Sequence, residues 1–172
     1  MSYGDKSYGL RDVQIADSDG SNPVDLPVAQ TLTFKEVVNT ANLRGDDAVA
    51  AVVANTDMVE WTLEAGGISL EAWAKLTGRT ATTTGTSPDG VTTYTAAADD
   101  QFPYVQIMGK SVGDSTDDIH VRLYKAKLTE ISGSFQDQEF AVTEASGIAI
   151  DDGSNGIMDV IQNETATDIA FA

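Results

Sequence analysis

Apolar and polar residues alternate along much of this chain, a pattern typical of β-strands with one buried face. In the segment 59–64, Val, Trp and Leu alternate with Glu and Thr, and in 119–124 Ile, Val and Leu alternate with His, Arg and Tyr. The alternation shifts by one position after Tyr124, which predicts a β-bulge there. Further strands are predicted at 11–16, 29–38, 48–55, 91–97, 104–108, 139–145 and 156–162.

One segment, 69–77, has the signals of an α-helix. Ser69 is a favourable N-cap, and Gly78 stands where a left-handed C-cap residue belongs. Ile68 and Trp73 have the spacing of a hydrophobic staple. The helix would cover one open end or face of the sheet with a narrow apolar stripe, made of Leu70, Trp73 and Leu76.

The connections between these segments are polar and rich in turn-forming residues, for example Pro-Asp-Gly at 88–90. The chain contains no internal repeat and no linker long enough to divide two domains. We therefore expect residues 1–172 to form a single, mainly β domain, a β-sandwich or barrel with one short α-helix. Residues 1–9 are expected to be a flexible N-terminal arm.

The composition fits a globular protein and excludes several classes. Of 172 residues, 41% are hydrophobic and 22% are charged, which does not suggest disorder. No apolar stretch could span a bilayer, and the N-terminus is polar where a signal peptide needs an apolar core. Without cysteine the chain has no disulfide framework. We therefore expect a protein that folds in a cytoplasm and has no membrane partner.

The charge balance is strongly acidic. Twenty-seven acidic residues oppose ten basic ones, for a formal net charge of −17. Most of the surface will repel nucleic acid and anionic membranes, since both bind clustered Lys and Arg. The acids can serve solubility, or they can reflect a host with a salty cytoplasm, because molar salt shortens the screening length to about 3 Å.

The residues needed for catalysis are mostly missing. A single histidine and no cysteine leave few nucleophile–base pairs, and no G-x-S-x-G elbow supplies a serine. His120 is therefore interpreted as structural. The loop that begins at Asp17 starts like a calcium loop, but Asn22 and Val28 stand where an EF-hand requires Gly and Glu. We expect no enzyme, no cofactor and no metal site.

The one basic cluster consists of His120, Arg122, Lys125 and Lys127. It is too small for a specific nucleic-acid footprint. A contact between subunits, in which these bases meet carboxylates of a neighbour, is the favoured interpretation.

Several blocks, in their order along the chain, resemble the major tail-tube proteins of long-tailed, siphovirus-type phages. The resemblance covers roughly the N-terminal half, and the second half is similar only in strand pattern. The blocks are GLRDV at 9–13, DLPVAQTL at 25–32, LRGDD at 43–47, VEWTLEAGGISLEA at 59–72 and TG at 77–78.

The resemblance implies a structural virion protein whose hexameric rings stack into the tail tube that conducts genomic DNA. Each subunit would contribute strands to an oligomeric barrel that lines the lumen. The implied partners are other copies of the chain, the tape-measure, terminator and distal tail proteins, and passing double-stranded DNA without specific binding. The implied location is the tail of the virion, assembled in the host cytoplasm.

The same resemblance suggests residues for these roles. Glu60 and Glu64 share the polar face of one strand and are candidates for the lumen or its rim. The segment 39–47 would be a long connection between stacked rings, with Leu43 as apolar anchor and Arg44 pairing an acid of the next ring. The full set of candidate inter-subunit contacts is Tyr3, Tyr8, Leu43, Arg44, Asp46, Asp47, Arg122, Lys125 and Lys127.

Other classes remain open from the sequence. A secretion-tube-like ring protein would share the same barrel plan. A β-sandwich adhesin or a virion decoration module would display an exposed aromatic patch for its ligand.

Overall fold

The computed structural model describes residues 9–44, 48–113 and 117–171. Within these ranges the chain forms ten β-strands and one α-helix. In chain order these are β1 (Leu10–Asp17), β2 (Val24–Asp25), β3 (Ala29–Arg44), β4 (Val49–Gly66), α1 (Leu70–Thr77), β5 (Ala81–Thr84), β6 (Val91–Tyr94), β7 (Tyr104–Val112), β8 (Asp118–Ser134), β9 (Val142–Ala149) and β10 (Met158–Asn163). The mainly β prediction with one short helix is confirmed.

Eight strands form one antiparallel sheet, in the order β2-β1-β7-β8-β9-β4-β3, with β10 also paired to β8. The long strand β8 joins two parts of this sheet. Its first part pairs with β7 and β10, and its second part, from Ala126 onward, pairs with β9. β5 and β6 form a separate small hairpin. The sheet does not close into a barrel among the residues described.

β3, at one end of this strand order, faces β1 and β7 across an apolar core. Leu32 of β3 lies so close to Gly109 of β7 that a Cβ at Gly109 would come 2.5 Å from Leu32 Cδ2. Gly109 therefore provides the space into which Leu32 packs. The core between the two parts of the sheet includes Val13, Ile15, Trp61, Leu63, Ile107 and Leu123.

Gly147 of β9 is a position where a side chain cannot be accommodated. A Cβ there would come 2.1 Å from the Lys127 carbonyl oxygen and 2.6 Å from the Trp61 ring. We expect Gly147→Ala to lower the free energy of unfolding by about 2 kcal/mol, because overpacking forces the backbone and the indole apart. Urea titration measures the loss. Gly90→Ala is the matched control, since its nearest neighbour is at 3.8 Å; equal stability of both variants would contradict the prediction.

The helix forms where its caps predict it. The Ser69 hydroxyl accepts a hydrogen bond from the Ala72 amide at 3.3 Å, and Gly78 has φ 70°, in the left-handed region. Leu76 is buried, whereas Leu70 and Trp73 are half-buried. The Trp73 indole N–H donates to Thr143 Oγ1 at 3.1 Å, which fixes the helix to β9.

No helix in the described ranges is long and apolar enough to cross a membrane.

The predicted β-bulge is confirmed. Val105 pairs with Ala126 but Ile107 pairs with Leu123, so the register shifts by one residue opposite Tyr124. The extra residue explains why apolar positions change parity along β8.

The prediction of a long connection at 39–47 is wrong for residues 39–44, and residues 45–47 lie outside the described residues. β3 continues to Arg44 and pairs with β4 as far back as Val49. The segments 48–55 and 59–64, predicted as two strands, belong mostly to the single strand β4. Residues 39–44 are exposed on both faces of the hairpin, so they lack the alternation that marks a half-buried strand.

Candidate assembly surfaces

The hairpin of β3 and β4 extends far beyond the rest of the sheet. β4 pairs with β9 between Val59 and Gly66, so, among the described residues, Val49–Met58 pairs with β3 alone. At about 3.3 Å per residue, this extension is roughly 30 Å long. We call its outer part, residues 38–44 and 49–56, the distal hairpin. A two-stranded ribbon alone is marginally stable in water, so a partner surface is expected to support it.

The distal hairpin is rich in exposed apolar residues and almost uncharged. Arg44 is its single charged residue, in a chain that carries 27 acids. Leu43 is 66% exposed and Val52 is 61% exposed, and other exposed valines accompany them. Exposed apolar residues grouped in this way mark an interaction surface. The exposed large apolar residues of the distal hairpin are Val38, Leu43, Val49, Val52 and Val53.

A second apolar surface lies at the opposite end of the sheet. The turn between β8 and β9, residues 135–141, is here called the aromatic turn. Its two phenylalanines, Phe135 and Phe140, are 82% and 93% exposed. The Gly67 amide donates to the Ala141 carbonyl oxygen at 2.6 Å, which ties this turn to the end of β4. Val28, before β3, is 68% exposed near the same end, where the Gly66 amide donates to its carbonyl oxygen.

One face of the strands β8, β9, β4 and β3 is polar. Alternation turns Trp61, Leu63 and Ala65 of β4 into the core, so Glu60, Thr62 and Glu64 lie on the outer face. Residues directly opposite these three in the neighbouring strands lie on the same outer face. We call the resulting surface the polar face: Thr31, Thr33, Lys35, Glu60, Thr62, Glu64, Lys127, Glu130, Ser132, Glu144, Ser146 and Ile148.

The two acids predicted from the sequence differ in their surroundings. Glu60 is 3.4 Å from the Lys35 ammonium, in an exposed ion pair. Glu64 stands directly opposite Glu144 in the register of β4 and β9. Like charges at directly opposite positions destabilise a sheet. Such a pair on the polar face suggests that negative charge there serves a purpose other than folding.

The part of the sheet that carries the polar face has two unpaired edges. β3 pairs only with β4, and β8 from Leu128 to Ser134 pairs only with β9, among the residues described. Unpaired N–H and C=O groups along an edge are a template for another strand. Both edges are therefore candidates for pairing with further copies of the chain.

The basic cluster is engaged within its own subunit. The ammonium groups of Lys125 and Lys127 lie 5.1 and 4.9 Å from the ring centroid of Tyr104. The Arg122 guanidinium lies 5.7 Å from the Tyr124 ring centroid and donates to the Ala170 carbonyl oxygen. Lys125 and Lys127 are half-buried and keep part of their surface in solvent.

Asp118 is a buried polar centre that the sequence did not suggest. Its fully buried carboxylate accepts hydrogen bonds from Asn163 Nδ2 at 2.7 Å, the Thr167 amide at 2.8 Å and His120 Nε2 at 3.0 Å, and lies 3.3 Å from Lys110 Nζ. Burial by itself raises the pKa of Asp118. The hydrogen bonds outweigh burial, so its pKa lies well below the usual range. His120 thus has a structural partner, in keeping with its interpretation from the sequence.

Hydrogen bonds from β7 and β8 also fix residues 164–171 to the sheet. The Lys110 ammonium donates to the Thr167 carbonyl oxygen, and Arg122 donates to that of Ala170. The segment 164–171 therefore lies across the outer face of β7 and β8, although it forms no strand.

The remaining candidates fall outside the described residues. These are Tyr3, Tyr8, Asp46 and Asp47. Within the part of the chain that the structure describes, no three His, Cys, Asp or Glu side chains are grouped so that they could hold a metal ion.

The exposed pair Phe135 and Phe140 was not identified from the sequence. Its signal was available, since two phenylalanines flank the polar residues 136–139.

Solved structures with a similar fold come from phage-tail-like assemblies. A chain from the sheath–tube complex of an extracellular contractile injection system, PVC in its extended state, matches with TM-score 0.54 and 15% identity, over 94% of this chain and 95% of that chain. A chain from the tube-terminating cap of the anti-feeding prophage matches with TM-score 0.50 and 14% identity, over 96% and 94%. No family model and no curated protein sequence matches this chain. At such low identity the likeness shows a shared fold.

Proposed function

We propose that this protein is a structural, non-enzymatic subunit of a phage-tail-type tube, in which rings of six copies stack and conduct DNA. The observation that carries the proposal is a sheet with two unpaired edges, one core face and one acidic polar face. The shared fold with chains of tail-like assemblies supports it.

Ring closure would join the two free edges. In the order β8-β9-β4-β3 all neighbours are antiparallel, so β3 and β8 run in opposite directions. When copies are rotated about an axis along the strands, β3 of one copy meets Leu128–Ser134 of the next in an antiparallel sense. Four strands from each of six copies would exceed the roughly 16 that leave an aqueous channel.

The polar face would line this channel. Its acids are Glu60, Glu64, Glu130 and Glu144. The polar face also carries two lysines, Lys35 and Lys127, which would attract phosphate. Lys35 is paired with Glu60, and the Lys127 ammonium lies over the Tyr104 ring, so the four acids outnumber the two cations. A wall with excess negative charge repels the duplex, so DNA passes without binding.

Stacking would use the distal hairpin. Leu43 and Arg44 lie near its tip, where they can reach a neighbouring ring. Lys125, Lys127 and Arg122 remain proposed contacts between copies, and for Arg122 this requires release of Ala170. Tyr3 and Tyr8 of the N-terminal arm, with Asp46 and Asp47, are proposed as further contacts. Tape-measure, terminator and distal tail proteins would meet the ends of the tube within a virion.

A second candidate is the tube of an injection system. The shared fold with the contractile injection system favours it. Both candidates predict rings and tubes, and they differ in what passes through the lumen.

Assembly is the first test of both. We expect purified protein to form rings and tubes visible by negative-stain electron microscopy, with more assembly at higher salt, because a net charge of −17 per copy opposes association. Sedimentation velocity at low and molar salt quantifies it. A protein that stays monomeric at every salt and protein concentration would contradict the proposal. If the free energy of unfolding of the wild-type protein is retained in dilute buffer, the acidic composition does not reflect a host with a salty cytoplasm.

A further inference from the structure

The two ends of the long sheet carry different apolar surfaces. The distal hairpin extends from one end of β4, and the aromatic turn lies beyond the other end, beside Gly66 and Gly67. Each surface displays large apolar side chains to solvent among polar residues. Two different patches at opposite ends of one subunit are suited to head-to-tail contacts, which repeat without closing and generate filaments.

The backbone of the aromatic turn holds its two phenylalanine side chains in solvent. Phe135 directly follows β8 and Phe140 precedes β9, so both are fixed close to paired strands. Val28 has φ 58°, a conformation that is a genuine outlier for a β-branched residue. Its side chain packs beside Gly66, where a Cβ would come 3.2 Å from Val28 Cγ1. Three large apolar groups are thus held at one end of the sheet, although burying them inside would be more favourable.

Arg44 can pair with an acid of the aromatic turn. Asp137 and Glu139 lie between the two phenylalanines of the aromatic turn. Arg44 is the single charged residue of the distal hairpin as defined above, and Asp46 and Asp47 follow it in the sequence. The Arg44 guanidinium therefore offers one cation to the two anions, while the acids on both sides make the contact depend on screening by salt. The same two anions disfavour an anionic membrane as the occupant.

We propose that the aromatic turn is the receptor for the distal hairpin of a second copy of this chain in the adjacent ring. This inference rests on the proposed tube function and deepens it. Phe135, Phe140 and Val28 receive Leu43 and the exposed valines of the hairpin. Arg44 meets Asp137 or Glu139.

A cysteine cross-link tests the contact directly, because the chain has no native cysteine. Leu43→Cys and Gln138→Cys proteins are mixed, assembled and oxidised. We expect a disulfide-linked dimer that contains one copy of each variant. Thr82→Cys replaces Leu43→Cys as the control, since Thr82 lies on the separate β5 hairpin. Absence of the 43–138 cross-link in tubes that form normally overturns the proposal.

A double variant, Phe135→Ser with Phe140→Ser, gives a second readout. Both side chains are almost fully exposed, so the fold is expected to persist. Ring formation is expected to continue, while association between rings weakens about tenfold or more and tubes shorten. Tubes of wild-type length from this variant overturn the receptor assignment alone. Failure of the wild-type protein to form any ring overturns the tube function and the receptor together.

Discussion

Replacing Asp118 with Ala is expected to lower the free energy of unfolding by about 3–5 kcal/mol, because removal of one partner of a buried ion pair leaves the other partner uncompensated. The carboxylate is completely buried, and Lys110 and His120 both face it. Its loss also removes the acceptor of the Thr167 amide. Chemical denaturation measures the effect. Asp99→Ala is the control, since Asp99 is exposed and surface changes alter stability by about 0.5 kcal/mol or less.

The same site predicts a pH dependence. The pKa of Asp118 is lower in the folded protein than the value of about 3.9 expected in the unfolded chain. The stabilisation is therefore fully present above pH about 4 and is lost as the pH falls through the folded pKa. Wild-type protein should lose stability more steeply below pH 4 than Asp118→Asn. Parallel slopes for the two proteins would show that Asp118 does not contribute in this way.

The end of the chain gives a local readout of this effect. Because Asp118 anchors Thr167, the variants are expected to expose residues 164–171 to carboxypeptidase faster than wild-type protein does. A general loss of stability without faster trimming would indicate that the anchor acts only on the sheet.

Local signals in the sequence predicted those elements whose structure depends on neighbouring residues. Ser69 and Gly78 determine where the helix begins and ends, and this needs no tertiary information. The strand around Trp61 follows from alternation, because one face is core and the other is solvent. The bulge at Tyr124 shows in the sequence as a change of parity.

Features that depend on pairing could not be predicted in the same way. In the distal hairpin, residues 39–44 have no buried face and carry no alternation, so only their register with β4 shows that β3 continues to Arg44. The small strand β5 lies in a threonine-rich segment where the sequence predicted no strand, and it is likewise defined by its pairing with β6. Asp118, His120 and Asn163 are brought together by two paired strands, and no local pattern connects them.

The polar face could be predicted from the sequence only in part. Alternation along β4 predicted that Glu60 and Glu64 share a face. It could not predict that Lys35 pairs with Glu60 or that Glu144 stands opposite Glu64, since both depend on cross-strand register. The structure therefore indicates Glu64 and Glu144, rather than Glu60, as the positions where negative charge is least compensated.

Reversal of this charge is expected to make the proposed tube retain DNA. In Glu64→Lys with Glu144→Lys, two lysines replace two glutamates at directly opposite positions, so the repulsion within the pair is preserved while its sign changes. In six-membered rings these lysines would form bands of positive charge around the lumen. Each phosphate contact adds about −0.9 to the slope of log affinity against log salt, so retention should be strong at low salt and fall steeply as salt increases.

Nuclease protection distinguishes the lumen from the outer wall. Tubes are assembled with labelled duplex, treated with nuclease and analysed for protected DNA at several salt concentrations. The control, Asp89→Lys with Asp99→Lys, adds the same charge at exposed positions away from the polar face. We expect protected DNA, at least about tenfold above wild type at low salt, in the Glu64 and Glu144 variant alone, because the control can bind duplex only where nuclease reaches it. Equal protection in both variants would place the polar face outside the channel.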